Sequence, residues 1–186
     1  MDLKDKVVVI TGGAGGLGLA MAHNFAQAGA KLALIDVDQE KLERACADLG
    51  SSTEVQGYAL DITDEEDVVA GFAYILEDFG KINVLVNNAG ILRDTIFHKM
   101  ELRDWQLVEQ VNLTGTFNVS RAAAPHFKDQ GSGSYVHFTS TSGLVGNFAY
   151  GKFNPRVLKI GEYEIQFNTR PGFDTLVQNY GETLGK

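Results

Sequence analysis

The sequence predicts an α/β fold in which a parallel sheet of about six strands is covered by helices on both faces. Three observations predict it. Short β-branched runs alternate with segments of helical period. The runs are near-continuously apolar, as strands buried on both faces must be. The first of them leads straight into a glycine-rich turn that opens a helix.

Taken in order, KVVVIT (6–11) reads as the first strand. Met21, Phe25 and Ala28 then share one helical face, and Gly29 is placed to stop that helix. KLALID (31–36) is the second strand, followed by a polar helix over 38–49. EVQGYALD (54–61) is the third. Thr63 and Glu66 form a capping-box pattern ahead of an apolar stripe made by Val68, Val69, Phe72, Ile75, Leu76 and Phe79, and Gly80 ends it. INVLVN (82–87) is the fourth strand, a long helical stretch spans 101–127, and YVHFTS (135–140) is the fifth strand. GSGS (131–134) is a loop. Asn154 as N-cap, Pro155 in the first turn and Gly161 beyond the end frame a helix of barely two turns, PRVLKI.

A chain of 186 residues suffices for one domain with a sizeable core and is short for two, so one domain over 1–186 is expected. Its 44% hydrophobic and 22% charged content is that of a globular protein. The net charge of −8, with acids and bases interspersed, argues against a nucleic-acid surface, which needs clustered Lys and Arg. Cys46 is the only cysteine, which excludes an intrachain disulfide and fits a reducing, cytoplasmic setting. The opening residues, MDLKDKVVVITGG, carry charges and an apolar run of only Val7 to Ile10, neither a signal peptide nor a membrane span. The histidines at 23, 98, 126 and 137 lack metal-ligand spacing, so no metal is expected.

TGGAGGLG (11–18) carries the first chemistry. It lies between a strand and a helix, with an acid, Asp36, ending the next strand. Gly12 allows the tight turn, Gly16 lets backbone approach a pyrophosphate, and Gly18 lets helix pack on sheet. Amides at the helix N-terminus face the anion. Asp36 can accept both ribose hydroxyls of an adenosine and would repel a 2′-phosphate, and no Arg or Lys lies in 12–18 or 37–39 to welcome one. NAD(H) is therefore expected over NADP(H).

With NNAG (87–90) after the fourth strand, the sequence resembles the short-chain dehydrogenase/reductase family. Thr11, Gly12, Gly16 and Gly18 fit its Thr-Gly-x-x-x-Gly-x-Gly pattern, and the match is close over 6–148. It includes Asp61-Ile62, VNLTGTF (111–117) and HFTSTSG (137–143). The resemblance implies a Rossmann-type, doubly wound sheet in three layers and hydride transfer between a nicotinamide and a small alcohol or ketone. In its terms Thr11, Gly12, Gly16, Leu17 and Gly18 hold the cofactor with Asp36. Asp61 and Ile62 hold the adenine, and Asn88, Ala89 and Gly90 line the cleft. Asn112 anchors a water in a proton relay, Ser140 hydrogen-bonds the substrate oxygen, and EIQFNTRPGFDT (164–175) gives a sixth strand leading to Pro171 and Gly172, which lie beside the nicotinamide.

One part of the family pattern is broken. Its acid/base tyrosine and the lysine that lowers the tyrosine's pKa are written Tyr-x-x-x-Lys on a helix, where residues four apart are neighbours. Here no such motif exists, and the expected positions hold Phe153 and Val157. Tyr150 and Lys152 remain, two apart, and share a side only if FAYGKFNP (148–155) is extended. The segment 149–163 thus reads as rearranged by an internal deletion, 164–175 as a weak match, and the C-terminus as shortened. Two readings stay open: an NAD(H)-dependent oxidoreductase with Tyr150 as acid/base, and a catalytically impaired NAD(H)-binding relative. A third, a rearranged fragment that folds poorly, follows from the apolar faces that missing elements would expose. A homo-oligomer stays open too, although the helix that carries much of the family's subunit interface is short.

Overall fold

The computed structural model describes residues 3–140 and two short strands at 158–160 and 163–165. Helices and strands alternate in this order: β1 (Val7–Thr11), α1 (Gly16–Gln27), β2 (Lys31–Asp36), α2 (Gln39–Leu49), β3 (Val55–Ala59), α3 (Glu65–Phe79) and β4 (Val84–Asn87). A 3-10 turn (Phe97–Lys99), α4 (Leu102–Glu109), a π-helical turn (Gln110–Gly115), α5 (Thr116–Gln130) and β5 (Ser134–His137) follow. The strands pair in parallel in the order β3-β2-β1-β4-β5. The order reverses beside β1, and ligands of such sheets bind at that switch point, beyond the carboxyl ends of the strands.

Alternate residues of each strand face opposite layers. Val8, Ile10, Leu32 and Leu34 cluster with Ala22 and Ala26 of α1 and with Leu42, Ala45 and Leu49 of α2. Val9, Ala33, Ile35 and Leu85 cluster on the other side with Val68, Phe72 and Ile75 of α3 and with Val119, Ala123 and Phe127 of α5. Every residue of β1 is buried, which is why that strand carries no alternation. The sheet is therefore the middle of three layers, the Rossmann arrangement.

Several local expectations shift. In α1 the deeply buried residues are Gly18, Ala22 and Ala26, whereas Met21 and Phe25 are only partly buried and Ala28 is an exposed cap. Small residues win the sheet-facing stripe because they let the helix lie close. The cap of α3 is Asp64, not Thr63: its carboxylate accepts from the N–H of Glu66 and Asp67, while the N–H of Thr63 donates to Asp61 Oδ1. An ionised acceptor at a helix N-terminus outcompetes a hydroxyl. The long helix expected over 101–127 is broken by the π-helical turn, and β5 ends at His137 rather than 140.

By contacts the described chain falls into two compact units. The first holds 1–91 and 107–138; the second holds 92–106 and 139–186. In the second unit β6 (Leu158–Ile160) and β7 (Tyr163–Ile165) pair antiparallel, with Ile160 opposite Tyr163. Residues 158–160 were expected in a helix. The alternation of Leu158, Lys159 and Ile160 serves a strand as well as a helix, and a two-residue connection led by glycine is a hairpin signal.

Asp64→Ala removes the acceptor for two N–H groups at the start of α3. We expect a loss of about 1 kcal/mol in urea unfolding, with the urea dependence unchanged.

Candidate functional site

The turn after β1 is built by its hydroxyl and its glycines. The Thr11 side chain, 1% exposed, accepts hydrogen bonds from the N–H of Asn88 (3.1 Å) and Ala89 (3.0 Å) and donates to the Val86 carbonyl (3.4 Å). Asn88 Nδ2 returns the link, donating to the carbonyls of Thr11 (3.0 Å) and Gly12 (3.2 Å). NNAG and the glycine turn are thereby laced together across the switch point. Gly12 sits at φ +62° and Gly16 at φ +52°, where side chains are strained. A Cβ on Gly18 would run into the Gly12 carbonyl oxygen, so glycine is what lets α1 pack onto the turn.

The N-terminus of α1 differs from those of α2 and α3. Asp38 caps α2, accepting from the N–H of Lys41 (3.0 Å), with Glu40 in the first turn. The Lys41 side chain and then its backbone N–H hold the Asp38 carboxyl below the usual carboxylate range. Asp64 caps α3, with Glu65, Glu66 and Asp67 behind it. At α1 the N-cap is Gly15; no side chain caps it and no acid lies in the first turn. The first N–H groups of any helix lack intrahelical partners, so this end keeps its partial positive charge for an external anion. A Cβ built on Gly15 or Gly16 meets nothing within 4 Å, so open space lies beside those amides. A dinucleotide's pyrophosphate fits that cradle. Leu17, 69% exposed, stands at its edge.

Asp36 ends β2 beside the turn. Its Oδ2 accepts from the Ala14 N–H at 3.4 Å and its Oδ1 from the Asp38 N–H at 3.3 Å. Both bonds are long and aim the half-buried carboxylate without exhausting its acceptor sites. Beyond β3, the Asp61 N–H donates to Asp67 Oδ2 (3.0 Å), and Ile62 is buried against the helix layer. Gly90 faces the Asn112 amide. Asn112 lies in the π-helical turn, and its side chain makes two bonds to one residue: Oδ1 accepts from the Ile91 N–H (2.8 Å) and Nδ2 donates to the Ile91 carbonyl (3.0 Å). Its own carbonyl accepts from the Thr116 hydroxyl (2.9 Å).

Thr11, Gly12, Gly16, Leu17, Gly18, Asp36, Asp61, Ile62, Asn88, Ala89, Gly90 and Asn112 all belong to the first compact unit. Ser140 is described but belongs to the second. Tyr150, Lys152, Pro171 and Gly172 lie outside the described residues.

Two asparagines escaped the sequence reading. Asn118, 7% exposed, donates from Nδ2 to the carbonyls of Ile62 (3.1 Å) and Thr63 (3.4 Å). Asn87, 5% exposed, places Nδ2 3.1 Å from Ser120 Oγ and 3.2 Å from His137 Nδ1, joining β4 to α5 and β5. His137 also stacks on Tyr135 at 5.8 Å. An asparagine inside a helix disfavours that helix, and this was the available signal for Asn118.

The family model described as short chain dehydrogenase matches residues 6–153. The chain belongs to the short-chain dehydrogenase family. It is 38% identical over 148 residues to a 3-oxoacyl-acyl-carrier-protein reductase of Thermotoga maritima, covering 79% of this chain and 60% of that protein. It is 40% identical over 145 residues to 2-(S)-hydroxypropyl-CoM dehydrogenase 3 of Xanthobacter autotrophicus, covering 77% and 57%. Among solved structures, an NAD+-bound xylitol dehydrogenase superposes with a TM-score of 0.80 at 32% identity, covering 82% of this chain and 60% of that one. A short-chain dehydrogenase/reductase from Burkholderia phymatum in complex with NAD gives a TM-score of 0.79 at 34% identity, covering 82% and 55%. The chain thus spans about three fifths of the length of these relatives. Among the described residues no helix is long and apolar enough to cross a membrane.

Thr11→Val leaves the N–H groups of Asn88 and Ala89 without their acceptor and is expected to cost about 1–3 kcal/mol in thermal or urea unfolding. Thr11→Ser keeps the oxygen and is expected to stay close to the parent.

Proposed function

We propose that this chain binds NAD(H) and transfers a hydride between the nicotinamide and a small alcohol or ketone. The observation that carries the reading is the uncapped N-terminus of α1, with open space beside its glycines and Asp36 at the end of the neighbouring strand. The NAD-bound relatives support the same cofactor. A carboxylate at Asp36 accepts ribose hydroxyls and repels a 2′-phosphate, so NADH is preferred over NADPH. Asp61 and Ile62 border the adenine, Ala89 and Gly90 line the cleft, and the family pattern assigns Pro171 and Gly172 to the nicotinamide.

The bound nicotinamide supplies the hydride acceptor. The chain's own task is the proton. Tyr150 takes it from the alcohol oxygen as carbon loses its hydride, and returns it in the reverse direction. Lys152 stabilises by charge the phenolate that accepts this proton and so lowers the tyrosine's pKa. Ser140 hydrogen-bonds the same substrate oxygen, and Asn112 anchors a water that relays the proton outward. The lone cysteine fits a cytoplasmic site of action, and one dinucleotide-binding domain over 1–186 carries it.

A second reading has a specific observation behind it. The spacing of two between Tyr150 and Lys152, with Phe153 and Val157 where the family's pair belongs, describes a protein that binds NAD(H) without turning it over.

Fluorescence titration separates these readings. Both expect saturable NADH binding, at least about tenfold tighter than NADPH. Only the first expects NADH production from a secondary alcohol, falling by a factor of about 100 or more in Tyr150→Phe. An unchanged rate in that variant removes Tyr150 as the acid/base; binding without turnover in the parent selects the second reading.

A further inference from the structure

We propose that Asn118 is a positioning residue for the adenine end of the cofactor site. It acts by holding the turn after β3 in place through backbone carbonyls, without touching the cofactor. The inference rests on the NAD(H) reading above, which sets the adenine beside Asp61 and Ile62.

That turn is tied from two other directions. Asp67 Oδ2 accepts from the Asp61 N–H, and Asp61 Oδ1 accepts from the Thr63 N–H. Both ties are exposed, and both engage N–H groups. The carbonyls of Ile62 and Thr63 are instead met from α5, where the Asn118 amide nitrogen donates to both. This is the buried tie of the set. One residue before α5 begins, Gly115 provides the space: a Cβ there would stand 2.7 Å from the Ile62 side chain. Ile62, 6% exposed, is thus pressed against the helix while Asn118 holds its carbonyl. A primary amide has two N–H donors on one nitrogen, which suits two successive carbonyls. With that donor removed, the carbonyls lose a buried partner, and the turn is free to settle where Ile62 no longer lies at its present depth.

The same helical run reaches the other side of the site. Asn112, in the π-helical turn, clamps Ile91 through both backbone groups, and Asn118 clamps the Ile62–Thr63 turn. The Asn118 clamp is made of donors only and therefore carries a chemical signature that the following variants read.

Asn118→Ala and Asn118→Asp are compared with the parent by titration with NADH and with ADP, which presents the adenine half alone, and each variant's melting temperature is measured alongside. In Asn118→Ala we expect Kd for both ligands to rise by the same factor, about tenfold. In Asn118→Asp an ionised carboxylate opposes two carbonyls, so affinity falls further. Burial among acceptors raises the carboxyl's pKa, and the protonated acid regains one donor, so affinity for ADP recovers as pH falls from about 8 to about 5.5. The parent and the alanine variant are expected to show no such recovery. A merely structural asparagine would lower the melting temperature and leave Kd and its pH dependence alone; that result overturns the proposal. Should the aspartate variant fail to fold, Asn118→Ser, whose hydroxyl is too short to reach, is put through the same two titrations. Parent-like Kd values in the serine and alanine variants likewise overturn it. If the parent itself binds neither NADH nor ADP, the cofactor reading falls, and this inference with it.

Discussion

A helix begins with N–H groups that have no partner inside it, and α1 is the place where this protein leaves them to something else. The next two helices each receive an aspartate cap and further acid behind it, while α1 begins at an uncapped glycine with space alongside. The contrast is internal to one chain, so general helix chemistry does not account for it. The proposed binding of a dinucleotide diphosphate would. The position of Asp36 follows from the same fact, because the strand that ends there runs beside β1 in register.

The surrounding polar groups serve to hold backbone at fixed places around that helix end. Thr11 and Asn88 exchange hydrogen bonds between β1 and the segment after β4, so the two sides of the switch point cannot part independently. Asn112 and Asn118 do the same for the loops after β4 and β3 from a single helical run. Each of these side chains is partly or fully buried, and each has its donors or acceptors met by backbone. That is the condition under which a buried polar network rigidifies rather than costs. A site organised this way is held by side chains that bond to backbone, which explains why most of its named residues are small or amide-bearing.

The central strands were legible in the sequence because burial on both faces leaves apolar runs that few other structures produce, and β1 and β2 match their predicted spans closely. Exposed and terminal elements were less so. β5 ends earlier than its apolar run suggested, and residues 158–160 suit helix and strand alike. The cap of α3 was placed one residue early because hydroxyl and carboxylate stand side by side in Ile62-Thr63-Asp64, and spacing alone cannot rank two acceptors. The π-helical turn left no periodic trace, since one extra residue per turn shifts a pattern too little to read over six positions. Asn118 and Asn87 were missed for another reason. Their partners lie 56 and 33 residues away, and only the fold brings them together.

The uncapped N-terminus of α1, with amides bare for an anion, can be addressed alone by one substitution. Gly15 has an extended backbone, φ −163° and ψ 172°, which any residue can adopt, and nothing fills the space its side chain would take. Gly15→Asp therefore gives α1 the kind of cap that α2 and α3 already have. By helix chemistry it should leave the melting temperature unchanged or raise it. By the present account its carboxylate occupies the amides and repels the diphosphate, so NADH binding measured by calorimetry disappears. A folded Gly15→Asp protein that binds NADH as tightly as the parent would contradict it.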